Sequence, residues 1–150
     1  MTTAQGMETM LTAARVFAAI TAESIAQAGA GITLPQLRVL VLASRPGSLN
    51  ATGVAEALDV HLSTASRICD RLVQGGLLDR RDRPEDRRQV ELTLTEDGRQ
   101  LLSKVTDHRQ AVFGRILRRM DSDGRRALID ALTEFINAAE DYEAHRSLVP

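Results

Sequence analysis

A mainly α-helical fold with one small β-wing is predicted, on three observations. Aromatic residues make up 3% of the 150 residues and Trp is absent. The core therefore has to be built from Leu, Val, Ile and Ala, which favours helices packed on helices over a β-sandwich. Along most of the chain the apolar residues recur at three- and four-residue spacing, the period of a helix with one buried face. The period changes to two where Val90, Leu92 and Leu94 alternate with Glu91 and Thr93, as in a half-buried strand.

The helical elements follow in order. Met7 to Ala28 reads as one amphipathic helix through Met10, Leu11, Ala14, Phe17, Ile20 and Ile25, ended by Gly29 and Gly31. Thr33 can cap a second helix with Pro35 in its first turn, running to about Ser44. Arg45-Pro46-Gly47-Ser48 is turn chemistry. Asn50 can cap a short helix whose apolar face is Val54, Ala55 and Leu58, broken by Asp59-Val60-His61. Leu62 to Gln74 is a further helix with Ala65, Ile68, Cys69 and Leu72 on one face, and Gly75-Gly76 stops it with the left-handed residue that helix ends favour. Leu77 to Arg80 is short and strand-like, and 81–88 form a charged tip containing Pro84 before the second strand. Thr95 caps a long helix with Glu96 and Asp97 in its first turn, where the helix dipole favours anions. Asp121-Ser122-Asp123-Gly124 separates it from a last helix marked by Leu128, Leu132, Phe135 and Ile136.

Bulk properties narrow the function classes. Apolar residues at 43% and charged residues at 26% describe an ordinary soluble globular chain, read as a single domain over 1–150. The net charge of −1 offers no global attraction for a polyanion. Locally, Arg67, Arg71, Arg80, Arg81, Arg83, Arg87 and Arg88 outnumber Asp70, Asp79, Asp82, Glu85 and Asp86, and a DNA-binding face depends on that local field. One cysteine, Cys69, excludes an intrachain disulfide and fits a reducing compartment. The first residues have no basic or apolar leader character, and the apolar stretch Val39 to Ala43 is too short to span a bilayer. The expectation is a cytoplasmic protein with no membrane partner.

Two short helices joined by a tight turn, the second with a polar outer face, have the geometry for major-groove entry. On the second helix Ser63, Thr64, Ser66, Arg67, Asp70 and Arg71 lie away from the apolar stripe. The small hydroxyl residues permit close approach to DNA, and Arg67 and Arg71 carry forked donors for guanine edges or phosphate. A solvated helix face would look similar in isolation. The charged hairpin that follows can place an arginine in a minor groove, and the order helix-turn-helix, strand, charged tip, strand is less easily produced by chance.

At this point the sequence resembles the MarR family of winged-helix regulators. The resemblance is carried by Val54-Ala55-Glu56-Ala57-Leu58, Ser63-Thr64-Ala65-Ser66-Arg67 and Gly75-Gly76-Leu77-Leu78-Asp79-Arg80. Most specific are Asp86-Arg87-Arg88, similar to the family's Asp-x-Arg wing, and Leu94-Thr95-Glu96-Asp97-Gly98, similar to its Leu-Thr-x-x-Gly. The resemblance implies a winged helix-turn-helix plus a helical dimerisation lobe: 33–94 as the DNA-binding lobe, 1–32 and 95–150 as the dimerisation lobe of an obligate homodimer. It also implies a ligand-responsive repressor of a palindromic operator on double-stranded DNA, with a small-molecule effector of unnamed identity entering between the lobes. Arg88 is then the minor-groove arginine with Asp86 as its orienting partner and Arg87 between them, and Ser63, Thr64, Ser66 and Arg67 fall where recognition-helix contacts lie. Asp59 departs from the glycine common in such turns, and Asp tolerates the left-handed region better than most residues.

The remaining chemistry-bearing residues point to no reaction. Cys69 belongs to the apolar stripe and reads as packing rather than as a redox sensor. His61, His108 and His145 are too scattered for a metal cluster; His61 is a DNA contact or an exposed turn residue, and His108 with Arg109 reads as a solvated or interfacial face. There is no nucleophile elbow and no phosphate loop, so neither an enzyme nor a cofactor is expected. The alternative from another class is a winged-helix protein-protein adaptor without specific DNA binding, its Arg-rich wing meeting an acidic partner. The polar recognition face argues against it, because a protein-binding helix would present apolar anchors.

Overall fold

The starts of the helices that follow Thr33, Asn50, Thr95 and Asp121 are set by side chains of those residues, which replace missing backbone partners. The computed structural model describes residues 3–82, 85 and 90–143. Its elements are α1 (Thr3–Ala28), α2 (Leu34–Ser44), α3 (Ala51–Leu58), α4 (Leu62–Gln74), β1 (Leu78–Asp82), β2 (Val90–Leu94), α5 (Glu96–Arg118) and α6 (Ser122–Glu143). At α2, the Thr33 hydroxyl accepts from Gln36 N while the Gln36 side chain accepts from Thr33 N at 2.8 Å, a complete capping box. Asn50 caps α3 by accepting from Gly53 N at 2.8 Å. Asp121 receives Gly124 N at 2.7 Å in the first turn of α6. These caps are the ones the sequence predicts.

Two turns shape the middle of the chain. Asp59 ends α3 in the left-handed region (φ 52, ψ 51), and its N–H is shared between Ala55 O and Glu56 O. It is the one non-glycine residue with positive φ among those described. At the end of α4 the left-handed residue is Gly76 (φ +73), whereas Gly75 stays right-handed. Leu77 N then reaches back to Leu72 O at 2.9 Å and closes the helix end.

β1 and β2 form an antiparallel hairpin with Leu78 opposite Leu94, Arg80 opposite Leu92 and Asp82 opposite Val90. The first strand starts one residue later than Leu77 and runs two residues past Arg80, because Arg81 and Asp82 join the ladder opposite Glu91 and Val90. Backbone pairing, not hydrophobicity, sets its length there. Leu92 N also donates to Leu49 O at 2.8 Å, which ties the hairpin to the segment before α3. Val39 and Leu40 of α2, Val54 and Leu58 of α3, Ala65, Cys69 and Leu72 of α4, Leu78, Leu92 and the α5 residue Leu101 make one buried cluster.

The joint between hairpin and α5 explains the Leu94-Thr95-x-x-Gly98 motif. Thr95 N donates to Leu77 O (3.2 Å), and the Thr95 hydroxyl donates to Gly76 O (2.7 Å) while its Oγ1 accepts from Gly98 N (3.0 Å). Gly98 is buried against Leu77 O, and a Cβ placed on it would lie 2.7 Å from Leu94 Cδ1. A side chain there has no room.

α1 starts at Thr3 rather than Met7, since the helix extends over polar residues before its first apolar one. By length and composition alone it could cross a membrane (hydropathy 1.2 over 18 residues), which the sequence reading, centred on Val39 to Ala43, does not anticipate. Part of its apolar character is used against α5: Ile20, Ser24 and Ile25 are buried, and Phe17 meets Phe113 edge to face at 5.7 Å. The Ser24 hydroxyl donates to Ile20 O (2.7 Å) and accepts from Nδ1 of His108 (2.9 Å). His108 is therefore a half-buried bonding partner of α1, which is the interfacial of the two readings that the sequence leaves open. Buried polar groups need such partners, and the α1–α5 packing is what the helical period could not reveal. No described side chain of α6 is buried, and Ile129, Phe135 and Ile136 are exposed.

Candidate nucleic-acid interface

α4 is amphipathic along its whole length. Ala65, Cys69 and Leu72 face the core, Ile68 is half-buried, and Ser63, Thr64, Arg67 and Arg71 are exposed. At 3.6 residues per turn those four exposed residues share an arc of about 100°. Ser66 and Asp70 lie off that arc, on the flank toward the hairpin. Ser66 is half-buried and lines a narrow cleft with Cys69 and Arg80. Four of the five recognition-helix candidates are thus brought onto one face, and Ser66 is not.

The exposed face is held outward by the packing behind it. The left-handed Asp59 reverses the chain so that α3 and α4 pack through Val54, Ala55, Leu58 and Ala65. His61 stands at the start of α4 without making a side-chain cap, so the positive end of the helix dipole there carries no side-chain acceptor. Thr64, Arg67, Ile68 and Arg71 border a small cleft of about 190 Å3 with Thr33 and Gln36 from the start of α2. Two guanidinium groups and hydroxyls on one exposed face can take phosphate oxygens or base edges.

Asp70 does not point toward the exposed arc. Its carboxylate is ion-paired with Arg80 of β1, each side chain about half exposed. The sequence reading names an acidic partner only for Arg88; the partner of Arg80 comes from α4. The other wing candidates, Asp86, Arg87 and Arg88, lie outside the described residues.

Cys69 is 1% exposed. Burial raises its thiol above the ordinary value, and the nearby Arg80 charge offsets only part of that. A neutral, enclosed thiol is packing, as expected from its place in the stripe. No cluster of metal-ligating side chains occurs among the described residues. An open, mostly apolar cleft of about 620 Å3 lies between α1 and the start of α2, walled by Ala18, Ala22, Ile25, Ala26 and Ile32.

Comparison with known proteins places this geometry. The chain matches the MarR family over residues 32–90. RV1404 from Mycobacterium tuberculosis, a solved structure, is 39% identical, with a TM-score of 0.86 over 92% of this chain and 94% of that one. The HTH-type transcriptional repressor MdtR of Bacillus subtilis is 36% identical over 58% of this chain, an alignment that spans 56% of MdtR. YusO, also from Bacillus subtilis, is 27% identical with a TM-score of 0.73 over 92% of this chain and 99% of its own.

Proposed function

The chain belongs to the MarR family of DNA-binding transcriptional regulators, and from that premise we propose that it is a homodimeric, ligand-responsive repressor of a palindromic operator. The observation that carries this reading is the exposed polar arc of α4, Ser63, Thr64, Arg67 and Arg71, presented beside a hairpin. In this reading residues 33–94 are the DNA-binding lobe and residues 1–32 and 95–150 the dimerisation lobe. The α4 helices of two copies enter successive major grooves about 10 bp apart. Arg67 and Arg71 contact base edges or phosphates, Ser63 and Thr64 the backbone and Ser66 the edge nearest the hairpin, while Arg88 enters the adjacent minor groove, oriented by Asp86, with Arg87 between them.

The dimer is supported by apolar surface that the single chain leaves uncovered: Met7, Met10 and Leu11 on α1, Ile129, Phe135 and Ile136 on α6, each 48–56% exposed. Helices of this length gain most of their stability from packing such a face. The effector site is the aliphatic cleft between α1 and α2, which suits a small apolar molecule. The curated likeness to MdtR, a repressor, favours repression over activation.

Selection from random duplex DNA with purified protein tests the reading. Enrichment of a palindrome is the expected result. Arg67→Ala should then cost about 1–3 kcal/mol in operator affinity if it makes a bidentate base contact, and Arg88→Ala should flatten the salt dependence. Failure to enrich any palindrome, with capture of an acidic protein partner instead, would favour the adaptor.

A further inference from the structure

We propose that Asp70 and Arg80 form a strut that fixes the angle between the hairpin and α4, so that both meet DNA as one rigid unit. The two are positioning residues rather than DNA contacts. This inference rests on the DNA-binding reading above.

The sheet register sets the direction of Arg80. It stands opposite Leu92, two residues after Leu78, and both of those leucines are buried. Side chains alternate across a strand, so Arg80 shares their inward face while its neighbours Asp79 and Arg81 take the other. From there its guanidinium reaches the Asp70 carboxylate on the flank of α4. The Gly75-Gly76 turn is the covalent link between these elements, and Gly76 adopts a backbone geometry without a side chain to brace it.

Packing alone does not fix the angle at this level of the hairpin. Beneath the ion pair lies a cleft of about 200 Å3 lined by Ala51, Ser66, Cys69, Val90 and Leu92. Close-packed interfaces resist tilting and gaps do not, so on this side the ion pair that crosses the gap adds the constraint that buried Leu78 and Leu92 and the Leu92 N–Leu49 O bond leave open. Stability gives little reason for the pair, because half-exposed ion pairs contribute little. Electrostatics gives a reason against Asp70, which sets a negative charge beside a surface that has to approach phosphates. Orientation is the property that the pair supplies.

That conflict makes the strut testable. The variants are Asp70→Asn, Arg80→Gln, Arg80→Lys and the swap Asp70→Arg with Arg80→Asp. Each is measured for affinity to the selected operator and to a scrambled duplex across a salt series, with a thermal melt as control. Asp70→Asn is expected to weaken operator binding about tenfold, within the range of coupled networks. Its affinity for scrambled DNA should stay level or rise, since a negative charge has gone. Arg80→Lys and the swap should recover most of the operator affinity, and Arg80→Gln should leave the salt slope unchanged. Equal strengthening on both duplexes by Asp70→Asn would overturn the strut. So would a salt slope lowered by about one phosphate per subunit in Arg80→Gln, which marks a direct contact. Absence of operator selection by the wild-type protein would overturn the DNA-binding reading itself, and the strut with it.

Discussion

Residues 33–94 and the two outer helices α1 and α6 are both rich in aliphatic side chains, and they use them in opposite ways. In the central segment Val39, Leu40, Val54, Leu72 and Leu78 are at most 1% exposed, shut in by elements of the same chain. In α1 and α6, Met7, Leu11, Phe135 and Ile136 stand 52–56% exposed, and Phe17 stands at 42%. The central segment completes its core within one chain, whereas the outer helices carry a half-core. In the proposed dimer, the difference separates what this chain does alone from what a second copy completes.

Leu72→Ala should make the comparison sharpest. A truncation in the closed core should cost about 2–5 kcal/mol, read as a fall in melting temperature that does not depend on protein concentration. Replacing Phe135 and Ile136 together by Glu should act on the other side of the contrast. Sedimentation should shift from dimer to monomer, with a loss of about 2–4 kcal/mol in association if these residues are anchors of the interface. The isolated chain's central segment should keep its fold in that variant. A fall for Leu72→Ala relative to wild type that itself changes with protein concentration, or an unchanged dimer for the double variant, would break the comparison. Gly98→Ala should cost about 1–3 kcal/mol from overpacking against Leu94 and the Leu77 carbonyl, seen in chemical denaturation.

The smallest effect is a pH dependence. Cys69 holds its proton more tightly in the folded chain than its ordinary value of 9.0. Its contribution to stability is whole below that value and is lost as the pH rises through the folded value. Stability should therefore decline on the alkaline side, and Cys69→Ala should flatten that decline. Rapid labelling of the native thiol at pH 8 by a disulfide reagent would show instead that the closed core opens locally.

Local chemistry was legible in the sequence wherever neighbours along the chain decide the outcome. Thr33, Asn50 and Thr95 announce their helices because a cap acts within three residues, and α4 runs from Leu62 to Gln74 as its periodicity predicts. The contacts between elements were not legible. Asp70 reads as part of an outward face because helical phase places it away from the apolar stripe, and only the returning β1 strand gives it Arg80. His108 reads as solvated or interfacial, and the choice between the two needs Ser24, which lies 84 residues away. Gly98 is recognisable as part of a motif, but the carbonyl that excludes a side chain there belongs to Leu77, across the turn. Of the candidate site, the arc through Ser63, Thr64, Arg67 and Arg71 follows from the sequence, whereas the inward turn of Ser66 required the hairpin's position.

Thr95 fastens the last residue of the hairpin to a 23-residue helix, which at 1.5 Å per residue is about 35 Å long. Such a helix is a lever with its fulcrum locked by Thr95 and Gly98. A tilt of about 10° carries its far end through about 6 Å, and base pairs are stacked about 3.4 Å apart. Under the proposed function the gearing of the molecule would then be set by a single threonine and a single glycine: angular changes too small to disturb the core would translate into displacements as large as the spacing that a reading head has to respect.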